Sequence, residues 1–113
     1  MVGRKDRRVQ KVLDILVNNP CCSINELADG VNLSRSRLEH LFKEQIGMQM
    51  GDYLLECRLK TAAELLKSSD MSVKEIAHIV GYEHSSSFIR AFKNMFGTVP
   101  SDYRQSLVEM ANK

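Results

Sequence analysis

Two short stretches of this chain carry side chains of the kinds that read nucleic-acid bases. Arg35, Ser36, Arg37, Glu39, His40 and Lys43 fall on the side of a helix opposite Leu38, Leu41 and Phe42. Ser85, Ser86, Ile89, Arg90 and Lys93 fall opposite Phe88, Ala91 and Phe92. Arginine can bond guanine as a fork, and serine can bond several base edges or phosphates. Glutamate can accept from the cytosine amino group, and isoleucine can lie against the thymine methyl. A lone polar helix face is ordinarily a solvated surface. Here the face occurs twice, each time behind a small-residue turn, and the repetition favours a reading surface.

The repetition extends to the elements that position these faces. Ser23-Ile24-Asn25-Glu26-Leu27-Ala28 returns about fifty residues later as Ser72-Val73-Lys74-Glu75-Ile76-Ala77. Phe42-Lys43, Gly47 and Asp52-Tyr53 return as Phe92-Lys93, Gly97 and Asp102-Tyr103, after a slip of one residue. Ser23 with Glu26, and Ser72 with Glu75, read as capping boxes that start short helices. Ala28 and Ala77 are small where a second helix must cross. Asn32 and Gly81 follow four residues on, and both tolerate the positive φ of a tight helix–helix turn. Ser34 caps the third helix, and Gly47 and Gly97 stop the third and sixth.

The other elements follow from apolar spacing. Val9, Val12, Leu13, Leu16 and Val17 mark one face of a first helix, which ends before Pro20. A fourth helix is expected from about Asp52 to Lys67, with Tyr53, Leu54, Leu59, Ala62, Ala63, Leu65 and Leu66 as its apolar surface. It has no evident counterpart in the repeat and reads as a linker. Pro100 opens a seventh helix running to about Met110. No window alternates with period two, so the expected fold is all-α, with about seven helices in two helix-turn-helix lobes joined by a linker helix. Lobe one is expected over about 5–50, the linker over about 52–67 and lobe two over about 70–110.

Composition narrows the function further. Of the 113 residues, 43% are hydrophobic and 27% charged, ordinary values for a globular chain. A net charge of +2 does not by itself announce a nucleic-acid binder. Arg4, Lys5, Arg7 and Arg8 form a basic arm broken only by Asp6, which by itself reads as solvated surface. No apolar run approaches the roughly 18 residues of a membrane span, and no signal peptide is evident. A cytoplasmic protein without a membrane partner is expected. Cys21, Cys22 and Cys57 are odd in number and lack C-x-x-C spacing, against both a disulfide framework and a zinc site. His40, His78 and His84 share no ligand spacing, and there is neither a Gly-rich phosphate loop nor a carboxylate pair suited to acid–base work. No cofactor, metal or catalytic residue is expected. An enzyme using a cysteine as thiol acceptor would need an activating base or metal shell that the sequence does not offer.

Gly81-Tyr82, Phe88, Arg90, Phe92-Lys93, Phe96-Gly97, Pro100 and Tyr103-Arg104 resemble the signature of AraC/XylS-type bacterial transcription regulators. Arg58-Leu59 with Ala62 and Leu65-Leu66 resembles that family's linker-helix pattern, and the similarity covers about residues 5–108. The resemblance implies two lobes on a rigid helix, with their reading helices in successive major grooves of double-stranded DNA, about 34 Å apart. It implies Ser36, Glu39 and His40 as base readers of lobe one, and Ser85, Ser86, Ile89 and Arg90 as those of lobe two. Arg35, Arg37, Lys43 and Lys93 are then the phosphate contacts. Ser36 is small, and His40 is shorter than the arginine often found there. A bacterial, nucleoid-associated regulator follows, with no room in this chain for a separate small-molecule effector domain. The alternative is an all-α protein-interaction module that turns the same faces to a protein such as RNA polymerase. Steep loss of binding with ionic strength separates the two.

Overall fold

A computed structural model describes residues 6–111. Among them are seven helices and no strand: α1 (Arg7–Asn18), α2 (Ile24–Gly30), α3 (Arg35–Ile46), α4 (Met50–Ser68), α5 (Val73–Ile79), α6 (Ser85–Phe96) and α7 (Pro100–Ala111). Arg4 and Lys5 lie outside the described residues. Arg7 and Arg8 belong to the first turn of α1 rather than to a separate arm, because Asp6 caps that helix. Its carboxylate accepts from the Arg8 N–H at 2.8 Å, and its own N–H donates to Gln45 Oε1 at 3.0 Å.

Serine caps start three of the helices. Ser23, Ser34 and Ser72 accept from the N–H groups of Glu26, Arg37 and Glu75 at 3.1, 3.2 and 3.1 Å. The reciprocal half of the box forms at α5, where Glu75 accepts from the Ser72 N–H at 3.0 Å. At α2 the expected box is only half made. There the Glu26 carboxylate accepts from the Ser23 hydroxyl at 3.1 Å and from the buried Cys22 thiol at 3.8 Å. Those donors compete with the Ser23 backbone for the same two oxygens.

The chain divides into two compact units, Met1–Cys57 and Arg58–Lys113, and the division falls inside α4. Unit one buries Val9, Val12 and Leu16 of α1 against Leu27 and Ala28, Leu38 and Phe42, and Met50 and Leu54. Unit two buries Leu59, Ala62, Ala63 and Leu66 of α4 with Ile76, Ala77, Val80, Phe88 and Phe92.

The fourth helix joins the two units, as a linker helix was expected to. It begins two residues earlier, at Met50, ends one later, at Ser68, and serves both cores. Its first turns do for unit one what α7 does for unit two. Tyr53 stands edge-on to Phe42 with centroids 5.1 Å apart, as Tyr103 stands to Phe92 at 5.3 Å. Its later turns bury Leu59, Ala62 and Leu66, each fifty residues on from the buried Val9, Val12 and Leu16 of α1. The match preserves burial at all three places but identity only at Leu16 and Leu66, so letter-by-letter comparison passes over it. Val17, expected on the apolar face of α1, is 81% exposed beyond its last buried turn, and Leu65 is only half-buried.

The turns answer to backbone geometry. Asn32 has φ 58°, and Gly81 has φ 97° at the matching place. A Cβ on Gly81 would lie 4.0 Å from the Arg58 guanidinium, an ordinary contact, so the dihedral and not the space calls for glycine. The second turn, Val80–His84, is one residue longer than the first, Val31–Ser34. That extra residue is the slip in the sequence repeat.

Candidate nucleic-acid interface

The Ser34 cap sets the phase of α3. Leu38 and Phe42 point inward and are fully buried, with Leu41 and Ile46 half-buried beside them. Arg35, Ser36, Arg37, His40 and Lys43 are exposed on the other side, whereas Glu39 is half-buried. An Arg–Glu ion pair and a His–Glu contact run along this face. Arg35 Nε lies 3.2 Å from Glu39 Oε1, and His40 Nε2 lies 3.5 Å from Glu44 Oε2. Exposed pairs of this spacing are worth at most about 0.5 kcal/mol. A bidentate base contact is worth about 1–3 kcal/mol, so these pairs can give way to a base or a phosphate.

Grooves flank the α3 face on both sides. An open one of about 460 Å³ is bordered by Arg8, Ser36, Arg37, His40 and Glu44. On the other side Glu39, His40, Lys43 and Gln49 border a smaller one of about 210 Å³. Arg8 was not expected here. Its Nε and Nη2 each sit 3.1 Å from the Asp6 carboxylate, one on each oxygen. The side-chain hydrogen bond from Arg8 holds the Asp6 carboxyl below its usual range, and the same bond raises the guanidinium. Asp6 and Arg8 two apart at a helix start was the signal available in sequence, but only the fold lays that turn beside α3.

In unit two the buried stripe of α6 is aromatic. Phe88 and Phe92 are fully buried with centroids 5.8 Å apart, and Tyr82 lies 5.6 Å from Phe88. Phe96 and Tyr103 close the far end, 4.4 and 5.3 Å from Phe92. Ser86, Arg90 and Lys93 are exposed opposite them. Ser85 and Ile89 are half-buried rather than exposed, as the sequence suggested. Ser85 falls at the edge of a cleft shared with Lys74 and His78 of α5 and Tyr82 of the turn. His84, at the start of α6, makes no side-chain capping bond, whereas Ser34 caps α3. No acidic residue occurs from Ser85 to Phe96, so Arg90 and Lys93 face no carboxylate of their own helix. The α4 residue Arg58 packs at the Gly81 turn, with its Nε buried and without a hydrogen-bond partner. Burial pushes the neighbouring Tyr82 phenol up, and Arg58 partly offsets that.

Among the described residues no cluster of His, Cys, Asp or Glu could hold a metal ion, and no helix is long and apolar enough to cross a membrane. The three cysteines form no disulfide. Burial chiefly raises the Cys22 thiol, against its use as a nucleophile.

Each unit thus holds a short helix, a turn through the left-handed region, and a second helix with aromatic or leucine residues inward and polar residues outward. That arrangement defines a protein with two helix-turn-helix motifs. A helix-turn-helix domain family matches residues 27–106, and a winged helix-turn-helix DNA-binding family matches residues 5–44. The probable transcription factor PqrA of Proteus vulgaris is 33% identical over 91 residues, covering 80% of this chain and 75% of that protein. A putative AraC-like transcription regulator of Streptomyces lividans is 36% identical over 107 residues, covering 93% of this chain and 35% of its own length. The C-terminal domain of AraT, a response regulator from Geobacillus stearothermophilus, superposes with a TM-score of 0.83 at 28% identity, covering 92% of this chain and 88% of that one. The chain belongs to the helix-turn-helix DNA-binding domains of the AraC/XylS type. It spans only 29–35% of the length of several curated relatives it matches.

Proposed function

We propose that this chain is the DNA-reading part of a bacterial transcription regulator and binds double-stranded DNA in a sequence-specific way. The observation that carries this reading is the recurrence of one polar face on α3 and α6, each behind its own left-handed turn, within a family of DNA-binding domains. Each face addresses one segment of major groove, and the two segments adjoin on one duplex. Ser36, Glu39 and His40 read bases from α3, and Ser85, Ser86, Ile89 and Arg90 read them from α6. The exposed half of Ile89 suits a thymine methyl. Arg35, Arg37, Lys43 and Lys93 contact phosphates, which supply much of the affinity and position the readers. The protein then works on the nucleoid, with RNA polymerase as a further partner.

Selection of bound sequences from a random duplex pool tests the proposal. Two short preferred blocks about one helical turn apart, with binding that weakens steeply as salt rises, are the expected result. No enriched sequence, or binding indifferent to salt, rejects it.

A further inference from the structure

The geometry points to a second DNA contact in unit one: the groove between the first turn of α1 and the exposed face of α3 takes a backbone phosphate of the duplex that α3 reads, and Arg8 is the residue that grips it. The inference rests on the DNA-reading function proposed above and assigns a residue which that reading does not include. Three observations support it. Arg8 borders the groove together with Ser36, Arg37 and His40, so the site continues the α3 face. Two of its side chains, Arg8 and Arg37, are guanidinium donors, which suits an anion, and its carboxylate, Glu44, lies 3.5 Å from His40 Nε2. The Arg8 guanidinium is already held as a fork by two carboxylate oxygens, each at 3.1 Å, which is the geometry in which arginine also holds a phosphate.

Asp6 is thus the placeholder for the phosphate. It stays in position when Arg8 leaves, because its carboxylate caps α1 through the Arg8 N–H and its backbone N–H is tied to Gln45 of α3. The side chain of Arg8 is 43% exposed and can swing from Asp6 into the groove without disturbing the core. Among its described residues unit two shows no such carboxylate-held fork. There Arg58, at the position in α4 that matches Arg8 in α1, packs against the Gly81 turn instead.

Fluorescence anisotropy of the intact chain on a duplex recovered by selection, at several salt concentrations, tests this, with circular dichroism confirming the fold of each variant. Arg8→Ala should weaken binding by about 3–10-fold on every sequence and lower the salt slope by about one phosphate. Arg8→Lys should recover part of the loss. Asp6→Asn keeps a good helix cap but removes the competing charge, and should tighten binding by about 2–5-fold. An Arg8→Ala variant with the parent's affinity and slope overturns the proposal, as does Asp6→Asn binding no better than the parent. Either result with a parent that still binds selectively leaves the DNA-reading function standing. A parent that binds no duplex ends both.

Discussion

Arg104 Nη1 donates to the carbonyl of Met71 at 2.6 Å, joining α7 to the segment that leads into α5. The same guanidinium donates to Leu66 from Nε at 3.0 Å and to Ser69 from Nη2 at 3.1 Å. One side chain therefore satisfies carbonyls at the end of α4 and in the bend after it, where a helix leaves such groups unpaired. Arg104→Ala should destabilise unit two by about 2–4 kcal/mol, since partly buried charge-assisted bonds are lost and carbonyls are left unmet. Arg104→Lys should recover little, because one ammonium cannot span three divergent carbonyls. Urea unfolding measures both, and an unchanged midpoint in Arg104→Ala would show that solvent replaces those bonds without loss.

Phe92 stands at the centre of the aromatic cluster, within 5.8 Å of Phe88, 4.4 Å of Phe96 and 5.3 Å of Tyr103. Phe92→Ala should cost about 3–5 kcal/mol, a large share of what holds so small a unit. Unit two should melt early, while unit one, with a core of its own, persists. Thermal unfolding followed by tyrosine fluorescence tests this. A single transition at the parent's temperature would contradict the burial of that ring.

The two turns predict opposite responses to exchange. Gly81→Ala forces a Cβ into φ 97° and should cost about 1–2 kcal/mol, although the space beside it is adequate. Asn32 at φ 58° already lives in the region glycine favours, so Asn32→Gly should change stability by only a few tenths of a kcal/mol. Equal losses in calorimetry would mean that contacts, not dihedrals, govern these positions.

Arg90 projects from the exposed side of α6 without a carboxylate on its own helix to compete for it. Arg90→Ala should weaken specific binding by about 1–3 kcal/mol and relax selectivity at one or two base pairs. Titration against single-base variants of the selected site separates this from a phosphate role, in which all sequences would lose alike.

Acid should loosen the start of α5 selectively. The backbone N–H of Ser72, and then its hydroxyl, hold the Glu75 carboxyl below its usual value. A depressed carboxyl contributes its stabilisation above its unfolded pKa and loses it as pH falls through the folded one. Amide protection in the first turn of α5, taken relative to the intrinsic exchange rate at each pH, should therefore fall on acidification through the carboxylate range. In Glu75→Gln, which keeps the reciprocal bond without titrating, that step should be absent. Identical profiles in parent and variant would rule out the carboxyl as its source.

What the sequence determined alone lies within about one helical turn of each residue. The serine caps, the left-handed turn residues Asn32 and Gly81, the stops at Gly47 and Gly97 and the inward stripes of α3 and α6 are local choices, and local spacing shows them. What only tertiary structure decided depends on partners far along the chain. Leu59, Ala62 and Leu66 are buried in unit two at an offset of fifty from the buried Val9, Val12 and Leu16 of unit one, and only the last of the three pairs keeps its letter. Arg104 belongs to the family signature in the sequence, but its partners are 33 to 38 residues away. Arg8 reads as part of a basic arm until Gln45, 39 residues on, ties Asp6 to α3 and the first turn of α1 comes to border the reading face. Helix caps and turn dihedrals are governed by neighbours in the chain. The target of a long cationic side chain is set by whichever carbonyl, carboxylate or groove the packed helices bring within its reach.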